Sequence, residues 1–143
     1  MSTSVQTYVF VKETQSAPAE PVTRRGESSP DTLILVLKPE QVQVVVPLGQ
    51  EVLLGRHHAS NQVQPEVDLT PYGAAESGMS RVHAAIRHDE HGWWLKDLNS
   101  SNGTWVDGER LAPHIPRRLH AISQVFLAKL EFQVILPIDA LPT

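Results

Sequence analysis

Short runs of β-branched and aliphatic residues, separated by turn-forming residues, constrain the fold of this chain most strongly. Residues 33–37 and 42–46 are two such runs, and Pro39 lies between them. A later pair, Asp107 and Gly108, is typical of tight hairpins because both residues tolerate the backbone angles of such turns. No segment repeats apolar residues with the 3.6-residue period of an amphipathic helix. The pattern predicts an all-β protein with an antiparallel sandwich or barrel.

The same pattern places the individual strands. The polar stretch at residues 57–80, interrupted only at residues 67–69, predicts a long loop. Residues 89–92 and 99–103 contain the Asp, Asn, Ser and Gly that favour turns. We predict strands at residues 33–37, 42–46, 51–54, 82–87, 93–98, 104–106, 124–128 and 131–136.

The first 31 residues differ in composition from the rest. Residues 12–31 are rich in Pro, Ser, Thr, Glu and Arg, and Val22 is almost their only large apolar residue. Such a segment buries too little apolar surface to offset the entropy lost on ordering. We therefore predict a disordered N-terminal tail at residues 1–31, a domain at residues 32–136 and a C-terminal extension at residues 137–143. The apolar residues 8–11 leave open that part of the tail adds a strand to a sheet edge.

Composition limits the classes of function. With 12 basic and 16 acidic residues the net charge is −4, whereas proteins that bind nucleic acid over a broad surface carry a basic excess. The absence of cysteine excludes disulfides, Cys-ligated zinc and a thiol nucleophile. No apolar run approaches the roughly 20 residues that span a bilayer, and the start lacks the features of a secretion signal. We expect a cytoplasmic protein that binds neither nucleic acid nor membranes.

Seven histidines are present, but they show no spacing typical of metal ligands, so we expect no metal and no cofactor. Ser80, His83 and Asp97 supply the residue types of a hydrolytic triad. The chain lacks the nucleophile elbow that such a serine needs, so we expect no enzymatic activity. The oligomeric state stays open at this point.

Three predicted loops carry groups suited to binding an anion. They contain Gly55 and Arg56, residues 78–81, and residues 99–104. A guanidinium binds two phosphate oxygens with its planar fork of N–H groups. Serine hydroxyls and backbone N–H groups in turns donate to the remaining oxygens, and glycine lets the backbone approach closely. Together these loops predict a receptor for a phosphate group.

The same residues resemble the forkhead-associated (FHA) domain family. Three blocks carry the resemblance, at residues 54–56 (LGR), 80–83 (SRVH) and 97–108 (DLNSSNGTWVDG), in the order of the family. The resemblance covers about residues 32–136. It implies an FHA-type antiparallel β-sandwich of about eleven strands in two sheets. It also implies that loops at one end of the sandwich recognise phosphothreonine.

The resemblance assigns phosphopeptide-binding roles to five residues. Arg56 would grip the phosphate, and Ser80 would donate a hydrogen bond to it. Arg81 would contact the phosphate or the peptide backbone. Ser101 would lie near the phosphate and the threonine methyl group, and Asn102 would bind the peptide main chain.

The resemblance assigns structural roles to further residues. His83 would support the loop of residues 78–81, here called the serine loop, without contacting the ligand, and Gly55, Gly103 and Thr104 would shape the turns. Asp107 with Gly108 stands where the family commonly has Asn-Gly, and Asp suits this turn equally well. Residues 122 and 123 replace the Gly-Asp turn that the family often has near its last strands.

These observations predict a non-catalytic phosphothreonine-binding adaptor in Ser/Thr kinase signalling. Its partners would be a phosphothreonine-containing protein or peptide and an upstream Ser/Thr kinase. One alternative is an FHA domain that binds a protein surface without phosphate during assembly. Another is self-regulation, in which phosphorylated Thr7, Thr14 or Thr23 of the tail occupies the binding loops.

Overall fold

Two β-sheets enclose the core of the part of the chain that the computed structural model describes, which comprises the backbone of residues 5–9 together with residues 30–38 and 40–137. A 3₁₀ helix spans Thr70–Tyr72. No helix of the described residues is long and apolar enough to cross a membrane. The strands of the described residues are β1 Val5–Val9, β2 Thr32–Val36, β3 Gln41–Val45, β4 Gln50–Gly55, β5 Val67–Asp68, β6 Val82–Asp89, β7 Gly92–Asp97, β8 Thr104–Val106, β9 Glu109–Arg110, β10 Arg117–Arg118, β11 Ile122–Leu127 and β12 Leu130–Ile135.

The strands divide into a seven-stranded sheet, in the order β1-β3-β2-β12-β11-β8-β9, and a five-stranded sheet, in the order β10-β7-β6-β4-β5. Alternate residues of the strands face inward, as the period of two in a β-strand requires. The large, fully buried side chains Leu33, Leu35, Val42 and Val44 come from the first sheet. Leu54, Ile86, Trp93 and Leu95 come from the second and complete one continuous core.

The strand pairing brings three chain connections to one end of the sandwich. Because β6 runs antiparallel to both β4 and β7, the start of β6 lies beside the ends of its two neighbours. Gly55 at the end of β4 pairs with Val82 at the start of β6, and Ala84 pairs with Asp97 at the end of β7. The loops that follow β4, precede β6 and follow β7 therefore meet there.

The structure confirms the predicted all-β fold and its two sheets, and it adds two details. Within the predicted tail, the backbone of Val5–Val9 forms β1 and pairs with β3. This agrees with the alternative that the N-terminus adds a strand to a sheet edge, since β3 otherwise offers unpaired backbone groups. Residues 10–29 of the predicted tail and residues 138–143 of the predicted extension lie outside the described residues.

The second detail is strand direction. The sequence predicts an antiparallel sandwich, but the β1–β3 and β4–β5 pairs are parallel. Both pairs lie at sheet edges, where a long connection returns the chain to a free strand edge. All other pairs are antiparallel among the described residues.

Candidate functional site

The backbones that carry the first two loops are joined where β4 ends. The N–H of Arg56 donates to the carbonyl oxygen of Arg81 at 3.0 Å. A Cβ atom built on Gly55 would lie 2.0 Å from this same carbonyl oxygen, far inside contact distance. Only glycine lets the two strands approach this closely. The approach fixes Arg56 and Arg81 beside each other.

The guanidinium groups of Arg56 and Arg81 lie at this end of the sandwich and are held by uncharged acceptors. The Nε of Arg56 donates to the Met79 carbonyl oxygen at 2.8 Å, and Nη1 of Arg81 donates to the Ser60 hydroxyl at 2.7 Å. Neither arginine forms an ion pair with an acidic residue of the described ranges. Neither guanidinium is therefore neutralised by a carboxylate of the described residues, and an anion bound at this end of the sandwich would be attracted by both.

The serine loop and the loop after β7 also contact each other. The N–H of Ser101 donates to the hydroxyl oxygen of Ser80 at 3.1 Å, so the Ser80 hydroxyl keeps its own hydrogen for another acceptor. Nδ2 of Asn102 donates to the Gly78 carbonyl oxygen at 2.8 Å. Ser101 and Asn102 are exposed. These contacts place the exposed side chains of Ser101 and Asn102 beside the loops that carry Arg56 and Arg81.

His83 joins the two loops from inside the domain. Its side chain is fully buried; Nδ1 accepts the N–H of Ser80 at 3.0 Å, and Nε2 lies 2.8 Å from the Gly103 carbonyl oxygen. Because Nδ1 accepts, the hydrogen of the neutral ring sits on Nε2 and is donated to Gly103. Burial lowers the pKa of His83, although the Gly103 carbonyl and the nearby Asp97 favour the charged form. The ring is therefore a neutral bridge between main-chain groups.

Asp97 organises the loop that follows β7. Its buried carboxylate accepts hydrogen bonds from the Ser100 N–H at 3.1 Å, the Ser100 hydroxyl, and the Thr104 hydroxyl at 2.7 Å. Burial alone would raise the pKa of Asp97, but the bonds from Ser100 and Thr104 and the proximity of His83 hold it below its ordinary value. The charged carboxylate thus sets the loop geometry that presents Ser101 and Asn102.

Gly103 and the Asp107–Gly108 pair occupy backbone conformations that explain their residue types. Gly103 has a φ of 91°, and a Cβ atom there would lie 2.8 Å from the ring of Trp105. Asp107 and Gly108 have φ values of 49° and 85° and connect β8 to β9 as a two-residue hairpin turn. The Oδ1 of Asp107 accepts the N–H of Gln124 at 2.8 Å, which ties this turn to β11.

A shallow groove of about 330 Å³ opens beside Asn102. Its wall combines one acidic side chain, one basic side chain and an aromatic ring with small residues. The lining residues are Glu76, Ser77, Gly78, Asn102, Trp105, Ala128 and Lys129.

All five predicted binding residues lie on the converging loops, and their contacts with a ligand stay predictions. The sequence pattern assigns no role in this site to Ser60, which holds Arg81, or to Met79, whose carbonyl holds Arg56. No local pattern signals either contact, because each spans about 20 residues of sequence. The motif includes Asp97 without a role for it; an Asp followed after one residue by Asn-Ser-Ser suggests a carboxylate that caps a turn.

The structure does not arrange Ser80, His83 and Asp97 as a catalytic triad. It is the backbone N–H of Ser80, and not its hydroxyl, that contacts Nδ1 of His83. The other ring nitrogen contacts the carbonyl oxygen of Gly103. No nitrogen of the imidazole is therefore free to take a proton from the serine.

The chain is similar in sequence to known proteins. The family model of the FHA domain matches residues 52–127, which is more than half of the chain. Protein FraH of Nostoc sp. (strain PCC 7120) is 27% identical over 114 residues. The match covers 80% of this chain and 38% of FraH, so the chain spans well under half of this relative.

Two solved structures at 25% sequence identity have the same architecture. One comes from a structural and functional analysis of phosphothreonine-dependent FHA domain interactions; the match covers 74% of this chain and 97% of the other, with a TM-score of 0.56. The other is the FhaA FHA domain complexed with the intracellular domain of Rv3910; the match covers 73% of this chain and 96% of the other, with a TM-score of 0.52. With the sandwich, the converging loops and the matching motif blocks, these similarities show that the chain belongs to the FHA domain family.

Proposed function

We propose that this chain is a phosphothreonine-peptide binding module that acts as a non-catalytic adaptor in Ser/Thr kinase signalling, with a cytoplasmic location. One observation carries the proposal. Arg56 and Arg81 lie on adjoining backbones, neither is paired with a carboxylate of the described residues, and the loop that carries Arg81 also carries Ser80, whose hydroxyl contacts the Ser101 N–H. This is the donor set that a phosphate monoester requires.

The chemistry of a phosphorylated threonine fits each group. At neutral pH the phosphate carries about −1.5 to −2 charges and three acceptor oxygens. The Nε of Arg56 donates to the Met79 carbonyl oxygen, so its remaining N–H groups would donate to two of these oxygens. The Ser80 hydroxyl, which accepts from Ser101, donates to a third. Each such bond contributes about 1.5–3 kcal/mol, so two or three of them make binding depend on the phosphate.

The peptide backbone would be held by Asn102. Its Nδ2 is anchored on the Gly78 carbonyl oxygen, which orients the rest of the amide toward solvent. An amide offers both a donor and an acceptor to the main chain of an extended peptide. The groove beside Asn102, with Lys129 and Glu76 in its wall, would receive a side chain that flanks the phosphothreonine.

Similar proteins support the proposal. A structure at 25% identity belongs to a study of phosphothreonine-dependent FHA domain interactions, and the FhaA FHA domain was solved in complex with an intracellular domain of another protein. The neutral His83 bridge is consistent with a binding role, since both of its ring nitrogens contact main-chain atoms.

The test is fluorescence anisotropy with a peptide library whose central residue is phosphothreonine, phosphoserine or unphosphorylated threonine. We expect binding to phosphothreonine peptides, weaker binding to phosphoserine peptides because one methyl contact is lost, and none to threonine peptides. Arg56→Ala should weaken binding at least about tenfold, the effect of one lost charged hydrogen bond.

Arg87→Ala is the matched control. This exposed arginine lies on β6 and pairs with Asp89 at 3.5 Å. Arg87→Ala also removes one positive charge, so equal losses of affinity in Arg56→Ala and Arg87→Ala would indicate only nonspecific electrostatic attraction. If a folded protein binds no phosphopeptide, or binds the unphosphorylated peptide equally well, the proposal fails and the phosphate-independent assembly role takes its place.

A further inference from the structure

The loop that follows Arg56 contacts the second arginine of the site. This loop, residues 57–66, lies outside all three motif blocks. Within it the hydroxyl oxygen of Ser60 lies 2.7 Å from Nη1 of Arg81. Both side chains are exposed, so solvent alone would leave the arginine free to adopt many rotamers. The hydrogen bond to Ser60 favours one of these rotamers of Arg81.

The directions of the hydrogen bonds around Ser60 follow from the donors available. Arg81 has only donors, so the Ser60 oxygen must accept from it. The backbone N–H of Ser60 points to Nδ1 of His58 at 3.2 Å, which makes Nδ1 an acceptor. The Ser60 hydroxyl lies 2.7 Å from this same nitrogen, so it donates its hydrogen there. A directed chain runs from Arg81 through Ser60 to His58.

The far end of this chain is braced by Gln64. Its side-chain amide donates to the His58 carbonyl oxygen at 2.7 Å and accepts the His58 N–H at 3.2 Å. Asn61 adds a bond to the same Gln64 oxygen at 3.1 Å and another to the Arg56 carbonyl oxygen at 3.3 Å. The loop is therefore fixed internally and attached to the residue that carries the first guanidinium.

We propose that Ser60, held by His58, is a positioning residue that orders the Arg81 guanidinium for the phosphopeptide. The inference rests on the proposed function and deepens it, because it assigns a role to a loop outside the motif blocks. Ser60 acts through Arg81 and does not itself contact the peptide. A guanidinium that is already ordered loses less conformational freedom on binding, so its contact with the ligand is stronger.

The experiment is a double-mutant cycle read by fluorescence anisotropy, with the tightest phosphothreonine peptide of the library as probe. Ser60→Ala should weaken binding about 3- to 10-fold, the range expected when one long side chain must be ordered on binding. Ser60→Thr keeps the hydroxyl and should restore wild-type affinity. His58→Ala removes the acceptor that holds Ser60 and should weaken binding in the same direction.

The coupling to Arg81 separates a positioning role from direct contact. In an Arg81→Ala background, Ser60→Ala should cause no further loss, since the group it positions is gone. Val63→Ala, an exposed position of the same loop, should leave the affinity unchanged. Additive losses, or equal or tighter binding by Ser60→Ala, would overturn the inference. Those results leave the proposed function intact as long as wild type binds and Arg56→Ala does not; loss of all phosphopeptide binding in wild type removes both.

Discussion

A single buried imidazole determines whether the serine loop and the loop after β7 stay together. His83 accepts from the Ser80 N–H and donates to the Gly103 carbonyl oxygen, and these loops contribute Ser80, Ser101 and Asn102 to the proposed site. The ring serves both contacts only in its neutral form, because a protonated Nδ1 cannot accept a hydrogen bond. The protonation state of the buried His83 ring thus controls the geometry of Ser80, Ser101 and Asn102.

Stability should therefore depend on pH through His83. Its pKa in the folded state lies below the ordinary value of 6.5, so the unfolded chain binds a proton more readily. The stabilisation is complete above pH 6.5 and declines as the pH falls from there toward the folded pKa. We expect His83→Asn to lower the free energy of unfolding by about 2–3 kcal/mol at pH 7.5, for two lost buried bonds, and by less at pH 5.5.

Urea denaturation of both proteins across this pH range measures the difference. His91→Asn is the control, since His91 is exposed in a turn and its side chain lies 3.5 Å from that of the equally exposed Glu90. That control should stay within about 0.5 kcal/mol of wild type. A difference between wild type and His83→Asn that stays constant or grows toward low pH would contradict a neutral, stabilising role for the ring.

At the scale of elements, His83 lies at a β-bulge of β6. Leu54 pairs with Ala84, but the next residue of β4, Gly55, pairs with Val82, so His83 is an extra residue of β6. Along a regular strand His83 would face away from the side chain of Ala84. The bulge breaks this alternation, and both residues are buried. The irregularity therefore lies at the residue that links the two loops.

Gly55→Ala should disturb this bulge directly. Its Cβ would lie 2.0 Å from the backbone oxygen of Arg81, and backbone on both sides has little freedom to move away. We expect a loss of about 1–3 kcal/mol in the free energy of unfolding, together with weaker phosphopeptide binding, because Arg56 and Ser80 separate. Chemical denaturation and anisotropy on the same preparation give both quantities.

Gly49→Ala tests the specificity of that effect. Gly49 precedes β4 at its opposite end and has a φ of 83°, and a methyl group added there would meet no atom of the described residues within 4 Å. Alanine at this position should reduce stability through backbone strain alone and leave the peptide affinity of the folded protein unchanged. A Gly55→Ala variant that binds like Gly49→Ala would show that the close approach does not position the site.

The sequence predicted the longer elements because their side chains alternate or are β-branched over five or six residues, as in β2 and β3. The two-residue strands β5 and β10 have too few side chains for any periodicity and form because a neighbouring strand offers free backbone groups. The bulge at His83 is not predictable either, since residues 82–87 read as a regular alternating strand. The motif residues predict where the binding loops lie, whereas the contact of Ser60 with Arg81 depends on tertiary structure.

At the scale of the whole molecule, the last residue of β1 and the converging loops lie at opposite ends of the sandwich. β1 is the edge strand of its sheet and, within the described part of the chain, pairs with β3 alone. Its last residue, Val9, pairs with Val45, which directly precedes the turn into the start of β4. The site lies at the other end of β4, where Gly55 joins Arg56. The strand therefore leads the chain away from the proposed phosphate site.

Deleting residues 1–9 should lower stability without changing phosphopeptide affinity. The deletion removes the hydrogen bonds between β1 and β3, but it also removes the entropy cost of ordering β1. We therefore expect the free energy of unfolding to fall by about 1–2 kcal/mol. Deleting residues 1–4 is the control, since it keeps β1. Urea denaturation and anisotropy measure the two effects separately, and an unchanged free energy of unfolding after the longer deletion would contradict a stabilising role for β1.

The positions of the three tail threonines bear on the self-regulation hypothesis. Thr7 pairs with Gln43 inside β1, so its backbone is held in the sheet. Thr14 and Thr23 lie between β1 and β2 and would be phosphorylated with β1 still in place. If the kinase-treated full chain binds the probe peptide as tightly as the untreated chain, the tail does not occupy its own site. If affinity falls after kinase treatment and is restored by Thr14→Ala or Thr23→Ala, the tail competes with outside ligands.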